Sequence, residues 1–331
     1  MIKKFKSEIL GNFEYDTNEF SITKTNKNEI FLYYHGKETN GKKIKIPKGI
    51  KSCRRMFAYT KIEIAPKIPE GVEDCEYMFW GCNKLKNTPA IPKSVKNCNS
   101  MFNSCSIKTP PRIPNGVETA IEMFKSCRNL KKGTNIPGSV KNCTHMFALC
   151  ENLEVAPTIA KGVKNCEGMF FRCKNLVLAP VIPESVENCR DMFFECENLK
   201  IVSAMPKNIL NCNKMFYNCG NLETIPAIAE KATNCSFMFY GCQSLRTIPE
   251  IPEGVENCAY MFAGCTNLKT APAIPERVTN CESMFKDCRN LKTMPIIPKD
   301  LKNCTAIFRG CINLENIKTT DLNMTFGVSI N

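Results

Sequence analysis

The chain has 331 residues, of which 43% are hydrophobic and 23% are charged, and this composition is ordinary for a folded soluble protein. Its net charge of +13 comes without any dense basic run, which favours a solvated surface over a nucleic-acid groove. Neither a secretory signal nor a segment long enough to span a membrane is visible, so we expect a cytoplasmic protein, with surface exposure by a non-standard route as the alternative. A reducing compartment in turn predicts that most of the 22 cysteines are thiols.

The N-terminal residues 1–43 lack the pattern that fills most of the chain. The segments EFSITK and EIFLYYHG, at residues 19–24 and 29–36, are rich in β-formers and predict strands. KNE and GKETNG read as the turns that follow them. Because a stack of repeats must hide the apolar edge of its first member, we predict that residues 1–43 form a β-rich cap.

A Met-Phe pair then recurs every 22 or 23 residues from Met56 to Met284, and an Ile-Phe pair follows at Ile307. The unit reads L-x-x-x-P-x-I-P-x-x-V-x-N-C-x-x-M-F-x-x-C-x-N and gives about twelve copies over residues 44–314. A fixed period of this length is typical of stacked repeat architectures. The remaining residues, 315–331, leave the pattern, and we predict that they form a C-terminal cap.

Within one unit the apolar residues fall on one face of a short helix, at offsets 0, 3, 4, 7 and 10, as in Cys166, Met169, Phe170, Cys173 and Leu176. Asn165 lies where an N-cap is expected. The proline-containing part of the unit must be extended, with a strand of only a few residues. The predicted fold is therefore an α/β solenoid of leucine-rich-repeat type, with short parallel strands on one side and short helices on the other.

Each cysteine occupies one of two positions in the repeat, one before and one after the Met-Phe pair. The cysteines at each position form a row along the array, and only Ala120 and Thr60 interrupt the two rows. In a helix, two cysteines seven residues apart are separated by roughly 10.5 Å, whereas a disulfide needs Cα atoms at about 4.4–6.8 Å. The spacing C-x6-C is also unlike the closely spaced pairs of zinc sites. We interpret both rows as small buried packing residues, with disulfides between repeats and a metal site as the alternatives.

The unit resembles the BspA-like leucine-rich repeat, whose 23-residue pattern carries an I-P, a Val, an Ala-Phe pair and then x-x-C. It is also similar to bacterial surface-protein repeats that carry M-x-x-M-F-x-x-C-x-x-L. The resemblance covers residues 44–314, with two departures: the first cysteine row replaces an aliphatic row, and an extra proline precedes the I-P. It implies a solenoid that binds proteins, and many relatives are surface adhesins or host-facing proteins.

The sequence contains no H-E-x-x-H, G-x-S-x-G or dinucleotide-binding motif, and its carboxylates do not converge on one slot of the repeat. We therefore predict a non-catalytic protein without cofactor or metal, which binds a protein partner and acts as an inhibitor or interferes with a host pathway. The alternatives are a basic solenoid that binds nucleic acid and a cell-surface adhesin. The oligomeric state stays open.

One candidate binding surface is the slot directly after the Met-Phe pair, which the helical interpretation places on the exposed side. This slot holds an aromatic residue in five units, which we call the aromatic stripe: Trp80, Phe171, Phe194, Tyr217 and Tyr240. Neighbouring aromatic side chains either cover each other or form a contact surface for a partner, since aromatic residues are enriched at interface hot spots.

A second candidate lies on the strand side, two residues after the leucine of the repeat, with one further residue near the prolines. These positions form what we call the aliphatic patch: Val155, Leu178, Val181 and Ile201. If the slot faces solvent, the patch is an exposed apolar surface and a candidate docking site. If the irregular strand turns it inward, the same residues belong to the core.

Overall fold

The structure is a computed structural model, and it describes residues 1–24, 26, 29–225, 227–298 and 301–315. The chain divides into two compact units, Met1–Val163 and Lys164–Asn331. The boundary between these units falls within the predicted array of repeats. Apart from Glu315, the predicted C-terminal cap lies outside the described residues.

Four strands near the N-terminus of the first unit form two antiparallel hairpins. Their bounds are β1 Ile2–Ser7, β2 Gly11–Asp16, β3 Phe20–Lys24 and β4 Ile30–Tyr34. Strands β1 and β2 pair with each other, as do β3 and β4. The second hairpin matches the two strands predicted from the sequence, whereas the first hairpin was not predicted.

The second hairpin covers the first repeat. The rings of Phe20 and Tyr34 lie 6.5 Å and 5.2 Å from the ring of Phe57, measured between centroids. The backbone N–H of Tyr34 donates to the carbonyl of Met56 at 2.8 Å. Phe57 is completely buried as a result, so the apolar edge of the first repeat does not meet water.

The short helices predicted for each repeat are wrong. The described part of the chain contains no helix, and so none that could cross a membrane. In each repeat, the residue before the Met and the residue before the second Cys have a left-handed backbone, as at Asp191 and Glu195, both with φ of 53°. The N–H of Met192 donates to the carbonyl of Cys189 at 3.1 Å, which closes a four-residue turn with its left-handed residue in third place, as in a type II turn.

Alternate N–H groups of this turn segment bond to the next repeat instead of to the same one. The N–H of Phe193 donates to the carbonyl of Met215 at 2.9 Å, and the N–H of Glu195 donates to the carbonyl of Tyr217 at 2.7 Å. The intervening N–H groups close turns within their own repeat. The backbone is therefore satisfied partly within each repeat and partly between repeats, which a helix could not achieve.

Parallel pairing between repeats is limited to single residues, so the predicted strands are very short. The most regular column of pairs runs through the Asn that precedes the first cysteine, including Asn188, Asn211 and Asn234. The side-chain oxygen of Asn211 accepts from the N–H of Asn213 at 3.0 Å. This is the local contact expected of an N-cap, but here it opens a turn.

The core of each unit consists of residues stacked in rows. Successive phenylalanine rings lie 5.3–5.8 Å apart and within 19° of parallel, from Phe57 to Phe147 in the first unit and from Phe170 to Phe308 in the second. Methionines and cysteines form parallel rows that are almost entirely buried. Each repeat of 22 or 23 residues thus buries its apolar side chains against the neighbouring repeats.

Candidate functional site

The two cysteine rows lie in the core, and only Cys304 and Cys311 are half-buried. Burial raises the pKa of the Cys127, Cys143 and Cys242 thiols to about 12, because the protein interior disfavours the thiolate. Thiols of this kind stay protonated at neutral pH and are poor nucleophiles. The buried cysteines of the two rows are therefore unsuited to act as catalytic nucleophiles.

Thiols of the second row also have a polar role that spacing alone did not predict. The Sγ of Cys219 donates to the carbonyl of Phe193 at 3.1 Å, and the Sγ of Cys242 donates to the carbonyl of Phe216 at 3.1 Å. The S–H group is a weak donor, and this bond links one repeat to its neighbour. Across the described residues, no group of three or more His, Cys, Asp or Glu side chains is placed to hold a metal ion.

The thiol content gives a direct test of the packing interpretation. Titration in denaturant without reductant should return 22 thiols per chain, because buried thiols with raised pKa values oxidise slowly. Elemental analysis of the same sample should find no stoichiometric zinc. Several missing thiols, or one zinc per chain, would contradict the packing interpretation.

Four members of the aromatic stripe form one continuous stack in the second unit. The rings of Phe171, Phe194, Tyr217 and Tyr240 lie 4.6–4.7 Å apart and within 5° of parallel. Each side chain is half-buried. The rings therefore cover one another, as the first of the two interpretations expects, and it is chiefly their outer parts that remain for a partner.

Trp80, the fifth member, lies in the first unit within a different cluster. Its ring centroid is 4.8 Å from that of Tyr59 and 5.2 Å from that of Tyr77. The guanidinium of Arg55 lies 4.7 Å from the centre of the Tyr77 ring and 5.7 Å from that of Trp80. This arrangement is a cation–π contact within the chain.

A second aromatic stack was missed by the sequence analysis. Phe237 and Tyr260 lie 4.7 Å apart and within 2° of parallel, and Phe237 also contacts Tyr217 and Tyr240 at the edge of the stripe. Both residues occupy the slot directly before the Met of their repeats. Aromatic residues at that slot in two consecutive repeats were the signal that could have found this stack.

The aliphatic patch is exposed, so the interpretation of its residues as core is wrong. Val155 in the first unit is 50% exposed, and the three members in the second unit, Leu178, Val181 and Ile201, are 54%, 72% and 58% exposed. Leu178 and Ile201 are direct partners in a parallel bridge, so they lie side by side on adjacent repeats. Val177 and Leu210, which the sequence analysis did not single out, are 44% and 48% exposed.

Many basic side chains pair with carboxylates of an adjacent repeat. Arg172 lies 2.7 Å from Glu195, and Lys131 lies 3.1 Å from Glu154, each 23 residues further along the chain. Such exposed pairs contribute little to stability, about 0–1 kcal/mol. They do, however, place opposite charges side by side on adjacent repeats.

A family model described as the BspA type leucine-rich repeat region matches the chain in six copies. The matched residues are 11–131, 119–237 and 212–330, which together cover nearly the whole sequence. The chain belongs to the BspA-type leucine-rich repeat family. The resemblance stated from the repeat unit is thereby confirmed. BspA-type repeats generally form non-enzymatic scaffolds and commonly mediate protein interactions.

Solved structures with the same fold come from bacterial leucine-rich repeat proteins. One from Bacteroides ovatus is 20% identical, with a TM-score of 0.53, over 96% of this chain and 99% of that one. A leucine-rich cell surface protein from Faecalibacterium prausnitzii is 17% identical over 99% of both chains, with a TM-score of 0.52. The pneumococcal vaccine antigen PcpA is 16% identical over 92% of this chain and 80% of that one, with a TM-score of 0.54. No curated protein sequence matches this BspA-type chain.

Proposed function

We propose that this BspA-type protein is a non-catalytic scaffold that binds a protein partner through Leu178, Val181 and Ile201. The observation that carries the proposal is that three large aliphatic side chains, each more than half exposed, lie on two adjacent repeats of one unit. Exposed apolar surface of this kind favours association, since burying it against a partner removes it from water.

The repeat fold itself does not require apolar residues at these positions. The slot of Leu178 and Ile201 holds threonine in the four repeats that follow, at Thr224, Thr247, Thr270 and Thr293. Since threonine is accepted there, the two aliphatic side chains are available for a role other than folding. A scaffold that covers part of its target in this way would act as an inhibitor or interfere with a host pathway.

The binding surface can be tested with substitutions that restore the threonine of the other repeats. The double variant Leu178→Thr and Ile201→Thr should weaken partner binding by about 1–4 kcal/mol if the pair is a hot spot, because it removes apolar contact area. The partner would be captured from a native lysate with the unaltered protein, and its affinity then measured by calorimetry for each variant. The thermal transition should stay in place.

Two control variants make the result specific. Thr247→Ala changes the same slot two repeats further on and should leave affinity unchanged. Phe194→Ala combined with Tyr217→Ala tests the aromatic stripe instead. Full affinity in the threonine variant, together with a loss in the stripe variant, would overturn the proposed surface and identify the stripe as the binding site.

A second candidate function is that of a cell-surface adhesin. The relative from Faecalibacterium prausnitzii is described as a cell surface protein and PcpA as a vaccine antigen, and both share the fold. Labelling of intact cells with a membrane-impermeant amine reagent distinguishes the two cases. Labelled chain would favour the adhesin, whereas labelling only after lysis would favour the intracellular scaffold.

A further inference from the structure

The dipeptide Asn-Gly occurs twice in the chain, as Asn40–Gly41 and as Asn115–Gly116. Asparagine followed by glycine is prone to lose ammonia, because glycine has no side chain to hinder attack of its backbone nitrogen on the asparagine amide. The reaction requires that the glycine N–H can leave its hydrogen bond and that the asparagine side chain can turn. The two copies differ in both respects.

The first copy, Asn40–Gly41, is fixed by contacts within the fold. The backbone N–H of Gly41 donates to the carbonyl of Ile64 at 2.8 Å, and Gly41 is buried. A Cβ atom at Gly41 would lie only 2.2 Å from that carbonyl oxygen, so the backbone at Ile64 packs tightly against this glycine. The side-chain oxygen of Asn40 accepts from the N–H of Lys42 at 3.1 Å. Both reacting groups are therefore engaged in contacts that the reaction would have to break.

The second copy, Asn115–Gly116, forms the tip of a turn. The N–H of Val117 donates to the carbonyl of Pro114 at 3.3 Å, which makes the asparagine and the glycine the two central residues of the turn. The side chain of Asn115 is exposed and forms no hydrogen bond with any residue that the structure describes. The N–H of Gly116 donates to the Oγ of Ser139 at 3.3 Å, which is longer than the usual range of about 2.7–3.2 Å. The second copy is therefore held more weakly than the first.

We propose that Asn115 is a site of spontaneous deamidation, with water as the co-reactant, and that the fold protects Asn40 from the same reaction. The backbone nitrogen of Gly116 gives its proton to solvent and attacks the Cγ of Asn115. The bond between Cγ and Nδ2 breaks, and the nitrogen takes up a proton and leaves as ammonia, so that a five-membered succinimide ring remains. Water then opens the ring at one of its two carbonyls and leaves either aspartate or isoaspartate.

The reaction balances without an oxidant or a reductant, since it consumes one water molecule and releases one ammonia molecule. Aspartate adds only a carboxylate to the turn, and other repeats carry glutamate before glycine at this position, as at Glu70 and Glu253. Isoaspartate instead adds one methylene group to the main chain of the turn. Val117, two residues further on, is completely buried. The isoaspartate product therefore disturbs the backbone that places a core side chain.

The experiment incubates the full folded chain in mildly alkaline buffer and follows each asparagine by peptide mass spectrometry, which detects the replacement of an amide by an acid. Deamidation should appear first at Asn115, about ten-fold faster than at Asn40, because the Gly41 N–H must first leave a short hydrogen bond. Methyl transfer by a protein L-isoaspartate methyltransferase should label the same peptide, since that enzyme modifies the isoaspartate product.

Two controls make the result specific. Asn115→Glu introduces the residue that other repeats hold at this position, and it should abolish the fast phase while the thermal transition stays in place. In urea that unfolds the chain, Asn40 and Asn115 should deamidate at similar rates, because the protection of Asn40 comes from the fold.

Three outcomes would overturn the proposal. One is an Asn115 that keeps its amide in the folded chain while it reacts in urea. Another is earlier deamidation at a different asparagine, such as Asn40 or Asn103. The third is a ratio of the two rates that is as large in urea as in the folded chain, which would mean that the local sequence, and not the fold, selects Asn115.

Discussion

Raising the pH above about 9 should unfold the protein, because the folded chain keeps protons on thiols that the unfolded chain would release. An ordinary cysteine has a pKa of about 8.5, whereas burial raises the pKa of Cys127, Cys143 and Cys242 to about 12. The folded state therefore binds protons more tightly than the unfolded state. The stabilising contribution is complete below the ordinary pKa and is lost as the pH rises from there toward 12.

The expected effect is large because the same burial is repeated along the chain. Each such thiol removes about 1.4 kcal/mol of unfolding free energy per pH unit within this window. Ten of them acting together remove on the order of 14 kcal/mol per pH unit, which is comparable to the whole stability of a typical domain, about 5–15 kcal/mol. Urea unfolding followed by circular dichroism at pH 7, 8.5 and 9.5 measures the loss directly.

A single alanine variant provides the control. Cys143→Ala should lower stability at pH 7, but it should reduce the pH slope by about 1.4 kcal/mol per unit, since one titrating thiol is gone. The neighbouring repeat already carries Ala120 in the same row, so the backbone accepts the smaller side chain. Stability that stays constant up to pH 10 would mean that the thiols are not buried as the structure places them.

The period of the sequence was enough to predict which side chains are buried. Residues such as Met192 and Phe193 recur at a fixed interval, and stacked repeats must turn the same positions inward in every copy. The rows of the core follow from this argument whatever the local backbone is. The local backbone conformation did not follow from this argument. A helix and a succession of tight turns can both place apolar residues at these spacings on the same side of the repeat.

A turn signal was nevertheless present in the sequence. The slot before the second cysteine holds glycine in four repeats, at Gly81, Gly241, Gly264 and Gly310, and asparagine at Asn218. All five have a positive φ, which glycine adopts freely and asparagine tolerates better than most residues. Glycine at one slot in several repeats argues against a helix interior, where it costs about 1 kcal/mol relative to alanine.

How far the candidate site residues are exposed depends on the side chains beside them on adjacent repeats. The residue type at one position of the repeat does not reveal those contacts. Phe194 and Tyr217 lose much of their surface to each other, because successive repeats are close enough for flat rings to stack at 4.6 Å. Leu178 and Ile201 also lie on adjacent repeats, yet each stays more than half exposed. Branched aliphatic side chains cannot stack face to face as rings do, so adjacency hides less of their surface.

The stacked phenylalanine row should carry more stability than any cysteine row. Phe216 is completely buried, and its ring lies 5.5 Å from those of Phe193 and Phe239. Phe216→Ala should cost about 3–5 kcal/mol, because it leaves a cavity between two rings held in place by their own repeats. Cys212→Ala, in the same repeat, removes only one sulfur and should cost about 1–2 kcal/mol.

Guanidinium unfolding at pH 7 measures the loss of stability in Phe216→Ala and in Cys212→Ala. The loss in Phe216→Ala does not come from a missing backbone hydrogen bond. The carbonyl of Phe216 accepts from the Sγ of Cys242, and alanine retains that carbonyl, so the variant removes the ring alone. Tyr217→Ala is the matched control, since it removes a half-buried ring from the adjacent residue and should cost less than Phe216→Ala. A cost for Cys212→Ala greater than that for Phe216→Ala would mean that contacts between thiols of neighbouring repeats, rather than the stacked rings, hold the repeats together.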